Sequence, residues 1–143
     1  MKVNEIMTNN AETISSEDSV VTAAEKMCAL EVGALPVWEG EELIGMVTDR
    51  DITVRSTAKN LSPSSTLVSQ IMTPQVFYCF DDDDILDAAK IMEEKSVHRL
   101  LVLNSDYEPV GFVSLCDIAV KSHDEHLTYE IIEKISEPAC PHR

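Results

Sequence analysis

The opening hexapeptide Val3-Asn4-Glu5-Ile6-Met7-Thr8 returns as Val68-Ser69-Gln70-Ile71-Met72-Thr73, sixty-five residues later. At the same offset Ala23-Ala24 meets Ala88-Ala89 and Met27 meets Met92, while Val32, Leu35 and Val37 meet Val97, Leu100 and Val102. One inserted residue then moves the offset to sixty-six, and Gly45-Met46-Val47-Thr48-Asp49-Arg50-Asp51-Ile52 meets Gly111-Phe112-Val113-Ser114-Leu115-Cys116-Asp117-Ile118. A register kept this long marks a duplicated structural unit, so both copies must fold to one plan.

That plan can be read from either copy. A short extended segment (Thr13–Ser15; Val76–Phe80) leads into acidic residues, Glu17-Asp18 in one copy and Asp81 to Asp84 in the other. Acids there suit the positive end of a helix dipole. Val20, Ala23, Ala24, Met27 and Leu30 follow at helical spacing, as do Ile85, Ala88, Ala89 and Met92. Two strand-like runs come next, Ala34–Trp38 with Leu43–Thr48 and Leu100–Leu103 with Val110–Ser114, joined by hairpin-like turns at Glu39-Gly40-Glu41-Glu42 and Asn104 to Pro109. A short helix starts near Thr48 or Ser114. The unit is β-α-β-β-α, and the fold class is α/β (α+β).

A unit of about 60 residues with a three-stranded sheet buries too little apolar surface to be comfortable alone. Two such sheets packed face to face as one pseudo-twofold body solve that problem. The organisation expected is repeat one over 1–60, a polar linker over 61–67 centred on Leu61-Ser62-Pro63-Ser64-Ser65, and repeat two over 68–122. The rest, 123–143, is expected to be a helix with spacing at Leu127, Ile131, Ile132 and Ile135, then a loose tail.

The chain has 26 acidic and 11 basic residues, a net charge of −15, shared between the halves. Nucleic acid and anionic membranes are bound through clustered Lys and Arg, and no such stripe exists here. The acid is a solvated surface that aids solubility. The longest apolar runs, such as Leu100–Leu103, are far shorter than the roughly 18 residues a membrane span needs. Met1-Lys2-Val3-Asn4-Glu5 lacks the layout of a secretory signal, so the expected location is the cytoplasm. In a reducing compartment the four cysteines, none in a CxxC pair, read as three small buried hydrophobes (Cys28, Cys79, Cys116) and an exposed tail thiol, Cys140.

The Ile-Met-Thr opening of both repeats, Val32-Gly33-Ala34-Leu35-Pro36-Val37 and above all Gly45-Met46-Val47-Thr48-Asp49-Arg50-Asp51-Ile52 resemble the tandem CBS (cystathionine-β-synthase-type) domain pair. The resemblance covers roughly residues 1–122. It implies two repeats packed through their sheets, with two clefts that often take AMP, ADP, ATP or S-adenosylmethionine, and a flat homodimer of two such pairs. With no attached enzyme, channel or transporter domain, the chain resembles the small stand-alone members, including bacterial stress- and hypoxia-response types. The expected role is non-catalytic: sensing an adenosine-containing ligand between the repeats and signalling to a protein partner.

The family's ribose-binding signature is Gly, two apolar residues, Ser or Thr, two of any kind, then Asp. Gly45, Thr48 and Asp51 supply it once, and Gly111, Ser114 and Asp117 supply it again. An ionised Asp accepts from both ribose hydroxyls, a Ser or Thr hydroxyl can donate to phosphate, and Gly lets a ligand approach the backbone. The same spacing also fits a helix N-cap box, in which the hydroxyl and the carboxylate each accept a backbone N–H. Both readings stand at this level. Phosphate also needs positive charge. His98-Arg99 precedes the Leu100 strand where repeat one has Gly33-Ala34, so Arg99 is a candidate phosphate clamp or else a surface ion-pair member. Arg50 and Lys121 are secondary candidates, and the Ser114/Asp117 cleft is favoured. By analogy with the family, adenine is lined by Tyr78, Cys79 and Phe80 in one cleft and by Thr13 and Ile14 in the other. Tyr78 is bulkier than Thr13, and the alternative reading is that it fills its cleft.

His123, His126, Cys140 and His142 have zinc-compatible chemistry at spacings that match no closed motif, so no metal site is assigned. Asp81 to Asp84 lacks the alternation and the glycine of a calcium loop. No nucleophile elbow, P-loop or His-Glu-x-x-His occurs. Two further roles compete with the sensor: an interaction protein with empty clefts, and a thiol- or zinc-responsive regulator.

Overall fold

In the computed structural model the order is β1 (Thr8–Asn9), β2 (Ile14–Ser15), α1 (Val20–Leu30), β3 (Ala34–Glu39), β4 (Glu42–Thr48), α2 (Asp49–Asp51), α3 (Val68–Ile71), β5 (Tyr78–Phe80), α4 (Ile85–Lys95), β6 (Arg99–Leu103), β7 (Pro109–Ser114), α5 (Leu115–Lys121) and α6 (Glu125–Ser136). α2 runs on through a π-helical stretch, Ile52–Ser56, into a 3-10 turn, Thr57–Lys59. The structure describes residues 1–9 and 11–137. The α/β (α+β) class and both copies of the β-α-β-β-α plan are present, with the ends of the strands that the sequence reading named falling within two residues of it. No helix among the described residues is long and apolar enough to cross a membrane.

Local chemistry sets the helix limits. The Ser19 hydroxyl accepts the Thr22 N–H at 3.2 Å and Asp84 accepts the Leu86 N–H at 2.9 Å, so each repeat's main helix starts on a capping side chain. Both helices end in left-handed residues, Glu31 and Ser96, at φ 55° and 53°. The buried stripe of α1 is Val20, Ala23 and Met27, and that of α4 is Ile85, Ala88, Ala89 and Met92. Each stripe covers one face of a sheet. Each large aliphatic side chain buried this way contributes roughly 1.5–3 kcal/mol.

The chain divides into two compact units. The central unit takes Glu12–Val76, and the terminal unit joins the chain start, up to Ala11, to the part from Phe77 on. The central sheet has the order β2-β3-β4 and the terminal sheet β1-β7-β6-β5. Both carry a bulge at the same place, where Ile44 and Val110 are the unpaired extra residues of their hairpins.

The opening segments are exchanged between the repeats. Val3 N–H donates to Asp83 O at 2.8 Å and Asn4 N–H to Asp81 O at 3.0 Å, which ties the chain start to repeat two. Val68 N–H donates to Asp18 O at 2.8 Å and Ser69 N–H to Ser16 O at 3.1 Å, which ties the second opening to repeat one. Each opening then adds to a hairpin edge. Thr8 stands opposite Phe112 in β7, and Thr73 bridges Met46 in β4. The terminal sheet therefore has four strands where the sequence suggested three.

α6 distinguishes the units. Asp124 caps it by accepting the Leu127 N–H at 3.0 Å, and Leu127, Ile131 and Ile135 join the core that holds Ala89. Ala24, the counterpart of Ala89, is exposed in the central unit.

Candidate functional site

Thr48 ends β4 and Ser114 ends β7, each in extended conformation at φ −118° and −122°. Such a residue presents its hydroxyl to the first turn of the next helix. Thr48 Oγ1 accepts the Asp51 N–H at 3.0 Å, and Asp51 Oδ2 accepts the Thr48 N–H at 3.0 Å. Ser114 and Asp117 repeat the box at 3.1 Å and 2.9 Å. The capping role is thus real at both positions. It leaves each carboxylate with acceptor capacity, since two oxygens offer about four lone-pair directions.

One turn further on, a base closes each corner. Lys121 Nζ lies 3.1 Å from Asp117 Oδ1 and donates to the Ile6 carbonyl at 2.9 Å. Arg55 Nε lies 3.7 Å from Asp51 Oδ1, and the same guanidinium donates to the Met72 carbonyl at 3.0 Å. Each base clamps a cap to the Ile-Met-Thr opening that lies beside it. Sequence reasoning offered Lys121 for phosphate and missed Arg55; the shared i+4 spacing from the cap Asp was the available signal. It also missed Thr73, whose hydroxyl lies 3.2 Å from both Asp51 oxygens.

The signature glycines have a different reason from the one expected. A Cβ on Gly45 would collide with the Thr73 carbonyl, and one on Gly111 with the Thr8 carbonyl. What approaches the glycine backbone is the chain's own opening segment rather than a ligand.

Arg99 is the direct antiparallel partner of Ser114, as Ala34 is of Thr48. Its guanidinium lies over the Phe112 ring at 6.0 Å, and among the described residues it makes no ion pair. The His98 carbonyl accepts the Leu115 N–H at 2.8 Å, the task the Gly33 carbonyl performs for Asp49 at 3.0 Å, and the His98 side chain is exposed. Arg50 is exposed beside Thr48 in the central corner.

The adenine-lining residues are split by strand alternation. Tyr78, Leu101, Phe112 and Thr8 form one row across the terminal sheet, on the face that carries Arg99 and Ser114. Tyr78 is 41% exposed and meets Phe80 edge to face at 5.8 Å. Cys79 faces the other way, into the helix-backed core, where burial first and the Asp83 charge second push its thiol up to about 12. It does not stand with Tyr78. Ile14 is likewise a core residue of the central unit. The backbone carbonyl of half-buried Thr13 accepts from Lys26 Nζ at 2.8 Å.

The cysteines depart from the sequence reading: of the three among the described residues, Cys79 is buried while Cys28 and Cys116 are exposed. Cys28 lies outside the α1 stripe, and Cys116, second in α5, points away from the core that holds Ile118. His126 sits 3.3 Å from Glu130, and His123 occupies a left-handed turn at φ 57° between α5 and α6. Among the described residues no three His, Cys, Asp or Glu side chains gather as a metal site. Cys140 and His142 lie outside the described residues.

The model of the family described as "CBS domain" matches residues 3–56 and 68–124. The CBS domain-containing protein YhcV of Bacillus subtilis is 32% identical over 134 residues, which are 94% of this chain and 94% of that protein. Hypoxic response protein 1 of Mycobacterium tuberculosis is 29% identical over 135 residues, covering 94% and 93%. A crystal structure of CBSX2 in complex with AMP superposes with a TM-score of 0.68 at 26% identity, over 85% of this chain and 95% of that one. Matched over both repeats, the chain belongs to the CBS domain family, as a CBS pair.

Proposed function

We propose that the chain is a non-catalytic regulatory protein that binds an adenosine-containing ligand at the terminal-unit corner of Ser114, Asp117 and Arg99. Asp117 accepts from the ribose hydroxyls, the Ser114 hydroxyl and the Arg99 guanidinium take the phosphate, and Tyr78 and Phe112 supply apolar contact on the same face. The observation that carries this reading is Arg99, which makes no ion pair among the described residues and stands directly across the ladder from Ser114. In a chain of net charge −15, an arginine that none of the described carboxylates pairs is a ready phosphate ligand. The AMP held by CBSX2 supports the ligand class.

Binding signals only if the ligand prefers one of two arrangements of the protein, which a protein partner then reads. The partner is unidentified, and the reading places the process among stress responses, supported by the name of the mycobacterial relative. A homodimer in the cytoplasm belongs to the same reading. Exposed apolar helix positions such as Leu30, Leu86, Val120 and Ile132 support self-association. One observation favours a second reading, a ligand-free interaction protein: both cap carboxylates already accept from the chain's own backbone. Capture of a partner unaffected by any nucleotide distinguishes it.

Calorimetric titration with AMP and with adenosine tests the site. A charge-assisted phosphate contact contributes about 1.5–3 kcal/mol, roughly 10- to 100-fold in affinity. AMP is expected to bind more tightly than adenosine by that factor, and Arg99→Ala to remove the difference while leaving adenosine unchanged. Equal binding of AMP by the wild type and Arg99→Ala would overturn the assignment.

A further inference from the structure

The two corners repeat one chemistry but are not equally open. In the central unit the Thr73 hydroxyl shares its proton between both Asp51 oxygens, at 3.2 Å each. Its backbone is locked in place by a reciprocal pair, Met46 N–H to Thr73 O at 2.9 Å and Thr73 N–H to Met46 O at 2.8 Å. With the Thr48 N–H on Oδ2 and Arg55 beside Oδ1, both oxygens are engaged, and the side chain is 8% exposed. Thr8 holds the same place in the other opening, but it is exposed and makes no side-chain hydrogen bond among the described residues. Among the described residues Asp117 is met by the Ser114 N–H and hydroxyl on Oδ2 and by Lys121, itself 45% exposed, on Oδ1, and it keeps 13% exposure of its own.

A ribose diol approaching Asp117 shares Oδ1 with a half-exposed lysine and Oδ2 with the hydroxyl of Ser114, a residue of the cap itself and not of the opening segment. One approaching Asp51 must evict a hydroxyl whose backbone is pinned to β4. Evicting it leaves that hydroxyl unpaired beside a buried carboxylate, an unfavourable exchange. We propose that Thr73 acts as a built-in plug of the Asp51 corner, so that the chain takes one adenosine ligand and takes it at Asp117. This deepens the reading above and rests on it.

The test is the stoichiometry of AMP binding to the full chain by calorimetry. The wild type is expected to bind one equivalent, abolished by Asp117→Asn. Thr73→Val keeps the shape but removes the hydroxyl, and it is expected to bind two. The second equivalent disappears again in the double variant Thr73→Val/Asp51→Asn. Thr73→Ala serves as a second form of the perturbation, and an unliganded melt confirms that each variant is folded. Two equivalents in the wild type, or one in both Thr73 variants, would overturn the plug while leaving the sensor reading intact. No binding by the wild type would overturn the sensor reading, and the plug with it.

Discussion

Replacing Gly111 with alanine isolates the contact that joins the chain start to repeat two. The added Cβ would lie inside contact distance of the Thr8 carbonyl, and backbone cannot swing aside as a side-chain end can. The protein has two responses. It can keep β1 in place and accept an overpacking cost of about 1–3 kcal/mol. Or it can release β1, giving up the pairing of Thr8 with Phe112 and Asn9 with Gly111, about 2 kcal/mol at roughly 1 kcal/mol per net backbone hydrogen bond. Either route costs about 2 kcal/mol. The internal control is Gly33→Ala, whose Cβ meets the Asp49 carboxylate end at 3.1 Å, an exposed side-chain end that accepts one hydrogen bond from the Arg50 N–H and can give way where backbone cannot. Alanine lowers the entropy of the unfolded chain equally in both variants, so that contribution cancels in the comparison. Thermal melting followed by circular dichroism should place Gly111→Ala roughly 6–8 °C below Gly33→Ala for a chain of this size. Amide exchange should rise at Met7 to Asn9. Melting points within about 1 °C of each other would refute the close approach of β1 to Gly111.

Two further predictions concern stability. Ser114→Ala removes a cap that accepts the Asp117 N–H at 3.1 Å and should cost about 1 kcal/mol by chemical denaturation, with Ser114→Gly costing less. Cys79 is held protonated in the folded state, its value raised from 9.0 to about 12. Its contribution is complete below pH 9, falls as the unfolded thiol ionises and the folded one does not, and is lost by about pH 12. Cys79→Ala should flatten that alkaline decline. Cys28 and Cys116 should alkylate in the folded protein while Cys79 does so only on unfolding.

Much of this structure was legible because the same pattern was written twice. The helical stripe at Val20, Ala23 and Met27 and its copy at Ile85, Ala88 and Met92 gave two independent readings of one element, as did the two hairpins. The caps were legible because Thr48-x-x-Asp51 carries its own geometry. What could not be read was which sheet edge each Ile-Met-Thr opening would join. Thr8 and Thr73 have the same local sequence, and pairing either with its own or the other repeat satisfies the same backbone groups. The only sequence trace was a glycine facing each one, and glycine has several uses. The inequality of the two corners was hidden for a similar reason. It lies in one Thr73 rotamer and in the residue opposite each cap, Ala34 or Arg99, and a duplicated motif makes both corners look alike. Exposure of Cys28 and Cys116 was misjudged because apolar neighbours in sequence do not reveal which side of a helix a thiol faces.

The most direct test of the central claim is a thermal-melt panel of the purified chain with AMP, ADP, ATP, S-adenosylmethionine and no ligand. A ligand present at a hundredfold over its dissociation constant adds about 2.7 kcal/mol, a rise of roughly 10 °C at this size. The account predicts such a rise for at least one adenosine ligand, lost in Asp117→Ala and kept in Asp51→Ala. No shift with any of the four at millimolar concentration would contradict it, leaving Ser114 and Asp117 a helix cap and nothing more.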